Sequence, residues 1–94
     1  MIAVGSRVRL APKARLQRDR VSGQEFLLYP ERGLELSDSA ARIVALCNGP
    51  AGDRTVADIV DELCAATGEP RERIESEVLS FLRALDDRGL LVVT

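Results

Sequence analysis

The sequence predicts an α+β domain in which a three-stranded antiparallel sheet is followed by three helices. Short segments rich in strand-forming residues fill much of residues 15–36, and only a few residues connect one segment to the next. Amphipathic segments with apolar residues at helical spacing occupy most of residues 38–88. Strands and helices segregated along a chain are typical of α+β folds. We expect one domain, because 94 residues can bury one modest core.

The strand-rich part begins after Pro12. Residues 15–20 form a mostly polar first strand, and the turn that follows contains Gly23, whose backbone tolerates a tight turn. The second strand covers residues 25–30 and is rich in aromatic and aliphatic side chains. A turn with proline and glycine then leads into the third strand, Leu34–Leu36.

Helix starts and stops are marked by capping residues. Ser37 or Asp38 suits the N-cap of the first helix, and Asn48-Gly49-Pro50 ends it. Thr55, with Asp58 three residues later, is a variant of the capping box that starts the second helix. The apolar stripes of the three helices consist of Ala40, Ile43, Val44 and Cys47; Val56, Ile59, Val60, Leu63 and Cys64; and Ile74, Val78, Phe81, Leu82 and Leu85.

The third helix is predicted between Pro70 and Gly89. Gly68 closes the helix before it, Pro70 suits a first helical position, and Gly89 suits a C-terminal cap. The apolar tail at residues 90–93 can pack against the domain or pair with a strand. Strand and helix pieces of this size recur in winged helix-turn-helix folds, so we expect a winged-helix-like arrangement.

Basic charge is concentrated near the N-terminus. Residues 1–20 carry six basic residues against one acidic residue, whereas residues 21–94 have a net charge of −7. We predict a flexible N-terminal arm at residues 1–11 and a single domain at residues 12–94.

No apolar run reaches the roughly 18 residues that span a membrane, and the apolar start precedes the first arginines, the reverse of a signal peptide. We therefore expect a cytoplasmic protein without a membrane partner.

The residues of a catalytic centre or a metal site are missing from the sequence. The chain has no histidine, so triads that depend on a histidine base are excluded. The adjacent acids at 61–62 and 86–87 fall on polar helix faces, where solvated charges are expected. Cys47 and Cys64 fall on apolar faces, and two thiols alone do not make a usual zinc site. We expect a binding protein, not an enzyme, with neither metal nor cofactor.

The third strand is the candidate for an open sheet edge. In a three-stranded meander the first and third strands are the edges, and the first is protected by its charged residues. Residues 33–36 carry a single charge and can accept an extended peptide through backbone hydrogen bonds. The sequence also allows the third helix or the C-terminal tail to cover this edge.

Two other kinds of function remain open at this point. A winged helix that binds nucleic acid needs a basic helix, but residues 70–88 contain four arginines against five carboxylates. Duplex binding that weakens steeply with salt would support that alternative. The second alternative is a docking domain of a larger complex that uses the basic arm or the apolar tail.

Taken in order along the chain, these segments resemble the PqqD family, which acts in pyrroloquinoline quinone biosynthesis. More broadly the chain resembles domains that recognise leader peptides of ribosomally made, modified peptides. The matching segments are Pro12 and Arg15-Leu16; residues 27–31 and 34–36; Ala40-Ala41, Ile43-Val44 and residues 47–49; residues 55–60 and Leu63; the run from Ile74 to Leu85; and residues 88–91.

The resemblance implies a non-catalytic peptide chaperone. It implies that a PqqA-like precursor peptide binds as an added strand, between the third strand and the third helix, and is delivered to a radical S-adenosylmethionine (SAM) enzyme like PqqE. A different modified-peptide pathway, such as a lasso-peptide pathway, is the alternative. We expect a monomer or a weak, strand-exchanged dimer, since an exposed edge can pair with its own copy. No nucleic-acid partner is implied.

Two sets of residues are predicted to form the peptide site. The backbone of the third strand pairs with the leader, and if Leu34 and Leu36 face the core, Glu35 faces out. One face of the third helix lines the groove, where Arg83 would suit an acidic leader. Leu82→Glu is then expected to abolish binding in a folded domain. The predicted residues are Arg32, Gly33, Leu34, Glu35 and Leu36 on the strand, and Val78, Leu79, Leu82 and Arg83 on the helix.

Overall fold

The computed structural model describes residues 2–30, 32–47 and 54–94. Within this part four strands come first and the three helices follow, with one two-residue strand between the first two helices and a last strand after the third, so the fold class is α+β. The elements are β1 (Arg7–Leu10), β2 (Arg15–Arg18), β3 (Glu25–Tyr29), β4 (Arg32–Leu36), α1 (Asp38–Cys47), β5 (Arg54–Thr55), α2 (Val56–Thr67), α3 (Arg71–Asp87) and β6 (Leu91–Val93).

The predicted three-stranded sheet is present in the order β2-β3-β4 and is antiparallel throughout. Leu27 lies at its centre, opposite Leu16 on one side and Leu34 on the other. Leu27 of β3 and Leu36 of β4 are buried in the core, and Leu34 is half-buried on the same face of the sheet. Glu35, which lies between the two leucines of β4, is exposed on the other face. This alternation gives the sheet one packed face and one solvated face.

A second antiparallel sheet, in the order β5-β1-β6, corrects the prediction of an N-terminal arm. Within residues 1–11, the strand β1 pairs with β6 from the far end of the chain, and Ile2 and Val8 are 1% and 0% exposed. The alternation of Arg7, Val8, Arg9 and Leu10 directs the apolar side chains into the core. Local pattern alone does not reveal partners that are more than forty residues away.

The N-terminal segment also completes the start of α2. The backbone N–H groups of Val56 and Ala57 donate to the carbonyls of Ser6 and Val4, each at 3.0 Å. The next N–H group, that of Asp58, donates to Thr55 Oγ1 at 3.1 Å, and the Asp58 carboxylate accepts from the Thr55 N–H at 3.2 Å. The predicted capping box is therefore confirmed. The first three N–H groups of α2, which have no partner inside a helix, are all satisfied.

The capping box should make part of the stability depend on pH. The hydrogen bond from the Thr55 backbone N–H lowers the pKa of Asp58 below its ordinary value. A carboxylate whose pKa is lower in the folded chain stabilises it above the unfolded pKa, and this contribution disappears as pH falls through the folded pKa. Asp58→Ala should therefore lower the melting temperature at pH 7, and its difference from the unchanged chain should shrink at pH values below about 4. A difference that stays constant from pH 7 to pH 2.5 would contradict this account.

The end of α3 is a Schellman motif, in which the helix closes through two backbone hydrogen bonds beyond its last turn. The Gly89 N–H donates to the Asp86 carbonyl at 2.9 Å, and the Leu90 N–H donates to the Leu85 carbonyl at 3.0 Å. Gly89 has a φ of 72°, which a residue with a side chain rarely adopts. Gly89 thus ends the helix as predicted, and the tail continues into β6. Pro70 lies one residue outside α3, at the N-cap.

Side chains from both sheets and all three helices form one core. Apart from the thiol of Cys47, no polar or charged side chain is buried in the part of the chain that the structure describes. In the same part, no helix is long and apolar enough to cross a membrane. The helix stop predicted at Asn48-Gly49-Pro50 and the turn residue Glu31 lie outside the described residues. The largest fully buried side chains are Ile2, Leu27, Ile59, Leu82, Leu85 and Leu90, with Val8, Val44, Val56, Val60, Val78 and Cys47.

Candidate functional site

The strand β4 is an edge of its sheet. Within the described ranges, β3 is the strand that pairs with it, and its other side has no strand neighbour. The C-terminal tail does not cover this edge, because it pairs with β1 as strand β6. Successive residues of an edge strand direct their N–H and C=O groups alternately toward the neighbour and away from it. Every second residue of β4 therefore has backbone groups available for another strand.

The available part of β4 ends near Leu36. Its carbonyl accepts a hydrogen bond from Gln24 Nε2 at 2.6 Å, so a side chain already occupies that end of the strand. Immediately after it, Ser37 Oγ accepts from the Ala40 N–H at 3.2 Å and caps α1. The chain thus passes from an open sheet edge directly into a helix start whose first hydroxyls lie at the surface.

A groove of about 820 Å³ begins where β4 ends. One wall is the first turns of α1, the other is one face of α3, and the end of α2 contributes to the floor. Its interior is apolar, with Ile43, Ile74 and Phe81 among the lining side chains, while serines lie along its rim. The lining residues are Ser37, Asp38, Ser39, Ala40, Arg42 and Ile43 of α1, Leu63 and Thr67 of α2, and Ile74, Ser76, Glu77, Val78, Ser80, Phe81 and Ala84 of α3.

The far end of α3 meets the sheet beside the start of β4. Arg88, immediately after the helix, donates from Nη1 to Tyr29 Oη at 3.3 Å. Tyr29 is the cross-strand partner of Arg32, the first residue of β4. The helix and the strand therefore flank the same cleft and run in opposite directions along it, from Phe81 to Arg88 on the helix and from Leu36 to Arg32 on the strand.

The strand residues of the predicted site are placed as the alternating pattern requires. Leu36 is buried and Leu34 is half-buried on the packed face, whereas Glu35 is exposed. Arg32 and Gly33 are exposed at the start of the strand. A Cβ atom on Gly33 would lie 3.1 Å from Leu28 Cδ2, because the Leu28 side chain covers its cross-strand neighbour.

The helix residues of the predicted site are not brought together. Val78 lines the groove but is 1% exposed, and Leu82 is 0% exposed in the core. Leu79 and Arg83 lie on the opposite face of α3, and the Arg83 guanidinium donates to the Ile2 carbonyl at 3.3 Å. The reason is helical geometry: at about 100° per residue, positions 79 and 83 point about 160° away from Phe81.

Phe81 is the residue that the site prediction missed. It is half-buried, lines the groove and shares a helix face with Ile74 and Ala84. The signal was present in the sequence, because Phe81 belongs to the apolar stripe of α3 and is its only aromatic residue. The contribution of α1 to the groove could not be foreseen from periodicity, because it depends on how the helices pack.

The chemistry of the groove suits binding rather than catalysis. Its charged residues lie on the rim, and Glu77 is paired with Arg73 at 3.4 Å in an exposed ion pair. Groups of three or more metal-binding side chains are absent from the described residues. Burial raises the pKa of Cys47 to about 12, so its thiol stays protonated and unreactive near neutral pH.

The comparisons with known proteins identify the family. A sequence model of the family described as "Coenzyme PQQ synthesis protein D (PqqD)" matches residues 25–91. The chain belongs to the PqqD family. This match includes β3, β4 and all three helices, and so it covers both walls of the groove. The PqqD family is a family of non-catalytic binding proteins.

Curated relatives and a solved structure agree with this assignment. A PqqA binding protein of Bradyrhizobium diazoefficiens is 36% identical over 90 residues, which are 96% of this chain and 84% of the relative. A PqqA binding protein of Rhizobium meliloti is 36% identical over 94 residues, which are 99% of this chain and 92% of the relative. The solution NMR structure of the PqqD truncation of Methylobacterium extorquens PqqCD has a TM-score of 0.81 and 28% identity, covering 98% of this chain and 95% of that one. That truncation is described as a functional, stand-alone recognition element for ribosomally synthesised and post-translationally modified peptides.

Proposed function

We propose that this chain binds the leader of a PqqA-like precursor peptide as a strand added to β4, and that it presents the peptide to a PqqE-like radical SAM enzyme in pyrroloquinoline quinone biosynthesis. The observation that carries the proposal is an unpaired edge, β4, that leads directly to an apolar groove of about 820 Å³ beginning at Ser37. Backbone hydrogen bonds to an edge give affinity, and pockets beside it give specificity. The names of the relatives support the choice of peptide.

The groove explains how such a strand would be held. A peptide that pairs with β4 directs every second side chain toward the packed side of the sheet, where α3 forms the facing wall. A side chain level with the end of β4 would enter the apolar part of the groove beside Phe81 and Ile43. Pockets with an apolar interior and a few polar groups at the rim are typical of ligand sites.

Presentation to the modifying enzyme needs the rest of the peptide to stay outside the groove. Strand addition holds only the segment beside β4 and leaves the flanking peptide free for an enzyme active site. The exposed edge also explains why we expect a monomer or a weak, strand-exchanged dimer: in the absence of peptide, β4 can pair with its own copy. Because β1 belongs to the second sheet, the N-terminal residues would act together with the rest of the chain as a single peptide-recognition domain.

The proposal is tested with a synthetic PqqA-like precursor peptide. Calorimetry should give saturable binding to the unchanged chain, and Phe81→Glu should weaken it by at least about 30-fold, because a carboxylate entering the apolar groove loses its hydration. Asp86→Ala is the matched control, since position 86 points about 140° away from Phe81 on the same helix. Equal affinity of the unchanged chain and a folded Phe81→Glu variant would contradict the proposal.

A further inference from the structure

The cleft between β4 and α3 differs in chemistry at its two ends. At the end of β4 that meets α1, the lining is apolar and includes Ile43, Ile74 and Phe81. At the other end, the exposed Arg32 begins β4 and Arg88 follows the last residue of α3. The hydrogen bond from Arg88 to Tyr29 places the Arg88 guanidinium beside Tyr29, the residue of β3 that pairs with Arg32.

Helical geometry directs Arg88 toward the cleft. Position 88 lies seven residues after Phe81, two helical turns further along nearly the same face, and Ala84 lies between them on that face. The two carboxylates of the last turn, Asp86 and Asp87, point about 140° and 120° away from Phe81, on opposite sides, and so lie on other faces. Arg88 therefore continues the groove-facing stripe of α3 with a positive charge.

Two arginines give this end of the cleft its positive charge. Among residues 2–30, 32–47 and 54–94, no carboxylate forms an ion pair with Arg32 or Arg88. Lys13 adds to the positive potential, since its Nζ lies 3.4 Å from the position that a Cβ atom on Gly89 would take. The apolar end lacks this excess of positive charge, because two acidic residues, Asp38 and Glu77, lie on its rim together with one basic residue, Arg42.

We propose that Arg32 and Arg88 bind a carboxylate of the leader peptide, and that this acidic residue lies four positions from the apolar residue that enters the groove beside Phe81. The inference rests on the proposed function. The spacing follows from β4, which needs four residues to pass from Arg32 to Leu36. An added strand rises by about 3.4 Å per residue and returns to the same face every second residue, so two side chains four positions apart both face the cleft.

The order of these two residues reports the direction of the peptide. If the peptide runs antiparallel to β4, the apolar residue precedes the acidic residue by four positions. If it runs parallel, the acidic residue comes first. Guanidinium groups suit this role because each can donate two parallel hydrogen bonds to a carboxylate. The positive end would also attract an acidic leader before contact, which raises the association rate at low salt.

A double-mutant cycle tests the inference with the synthetic PqqA-like peptide. Arg32→Gln and Arg88→Gln should each weaken binding by about 3-fold and together by about 10-fold, the range expected for exposed charge pairs. Replacing one particular peptide carboxylate by its amide should have a similar effect, and should have little further effect in the double variant. Arg32→Lys and Arg88→Lys should retain only part of the affinity, because the charge remains but the two parallel hydrogen bonds are lost. Raising the salt should reduce the difference between the unchanged chain and the double variant.

Two controls separate this inference from the function on which it rests. Arg20→Gln removes an exposed arginine from the turn between β2 and β3 and should leave affinity unchanged. Phe81→Glu tests whether the groove holds the peptide at all. If Phe81→Glu abolishes binding while Arg32→Gln with Arg88→Gln does not change it, the charge inference is overturned and the proposed function stands. If Phe81→Glu binds normally, the proposed function itself fails.

Discussion

Removing residues 2–10 should leave a chain that no longer folds cooperatively. The deletion takes Ile2, Val8 and Leu10 out of the core, and each such side chain contributes about 2 kcal/mol by burial, which adds to about 6 kcal/mol. It also removes the carbonyls that accept the first two N–H groups of α2 and the strand that joins β5 to β6. Small domains are stable by only about 5–15 kcal/mol, so the loss is comparable with the whole free energy of folding.

Circular dichroism melts of the truncated chain test this prediction. Two point variants give the control. Val8→Asp places a charge in the core, whereas a Cβ atom at Gly5 would meet nothing within 4 Å, so Gly5→Asp adds its side chain at an open position. Val8→Asp should abolish the cooperative transition, and Gly5→Asp should keep the melting temperature within a few degrees. A truncated chain that melts like the full chain would restore the interpretation of residues 1–11 as a flexible arm.

Leu82→Glu should unfold the domain instead of producing a folded chain that fails to bind. Leu82 is fully buried between α3 and the rest of the core. The substitution loses about 2–3 kcal/mol of apolar burial and in addition buries a carboxylate that has no partner, at a further cost of several kcal/mol. This expectation replaces the sequence-based one, in which Leu82 lined the peptide groove.

Chemical denaturation distinguishes the residues of α3 that pack in the core from those that line the groove. Leu82→Met conserves volume and should cost less than about 1.5 kcal/mol, whereas Leu82→Glu should show no folded baseline. Phe81→Glu, one residue earlier, should remain folded because its side chain is half-buried at the groove. A Leu82→Glu chain that unfolds at the same denaturant concentration as the unchanged chain would mean that the side chain is not in the core.

The sequence predicted the parts of the fold that depend on local pattern. The strand pattern of residues 25–29, the capping box at Thr55 and Asp58, and the glycine that ends α3 are all local signals, and the structure confirms them. The second sheet depends on pairing between residues 7–10 and 91–93, which lie at opposite ends of the chain. These strands have only four and three residues, and the sequence does not show which distant segment each one pairs with.

The burial of the predicted strand residues followed from the sequence more directly than that of the predicted helix residues. Strand side chains alternate, so the exposure of Glu35 and the burial of Leu36 followed from one assumption about the packed face. On the helix, the sequence defines an apolar stripe but not which part of it the core occupies. Leu82 lies in the core, whereas Phe81 faces the groove, and this division is decided by the packing of α1 and α2 against α3.

Hydrogen exchange of the β4 amides tests the central claim, that a peptide adds as a strand to this edge. The chain is compared with and without a saturating amount of the synthetic PqqA-like peptide. Strand addition predicts that alternate amides within Arg32–Leu36 exchange at least about tenfold more slowly in the complex, because the N–H groups directed away from β3 gain acceptors. Amides of β2, the opposite edge of the sheet, should keep their rates. Saturable binding that leaves the β4 amides unchanged, or that protects β2 instead, would contradict the account.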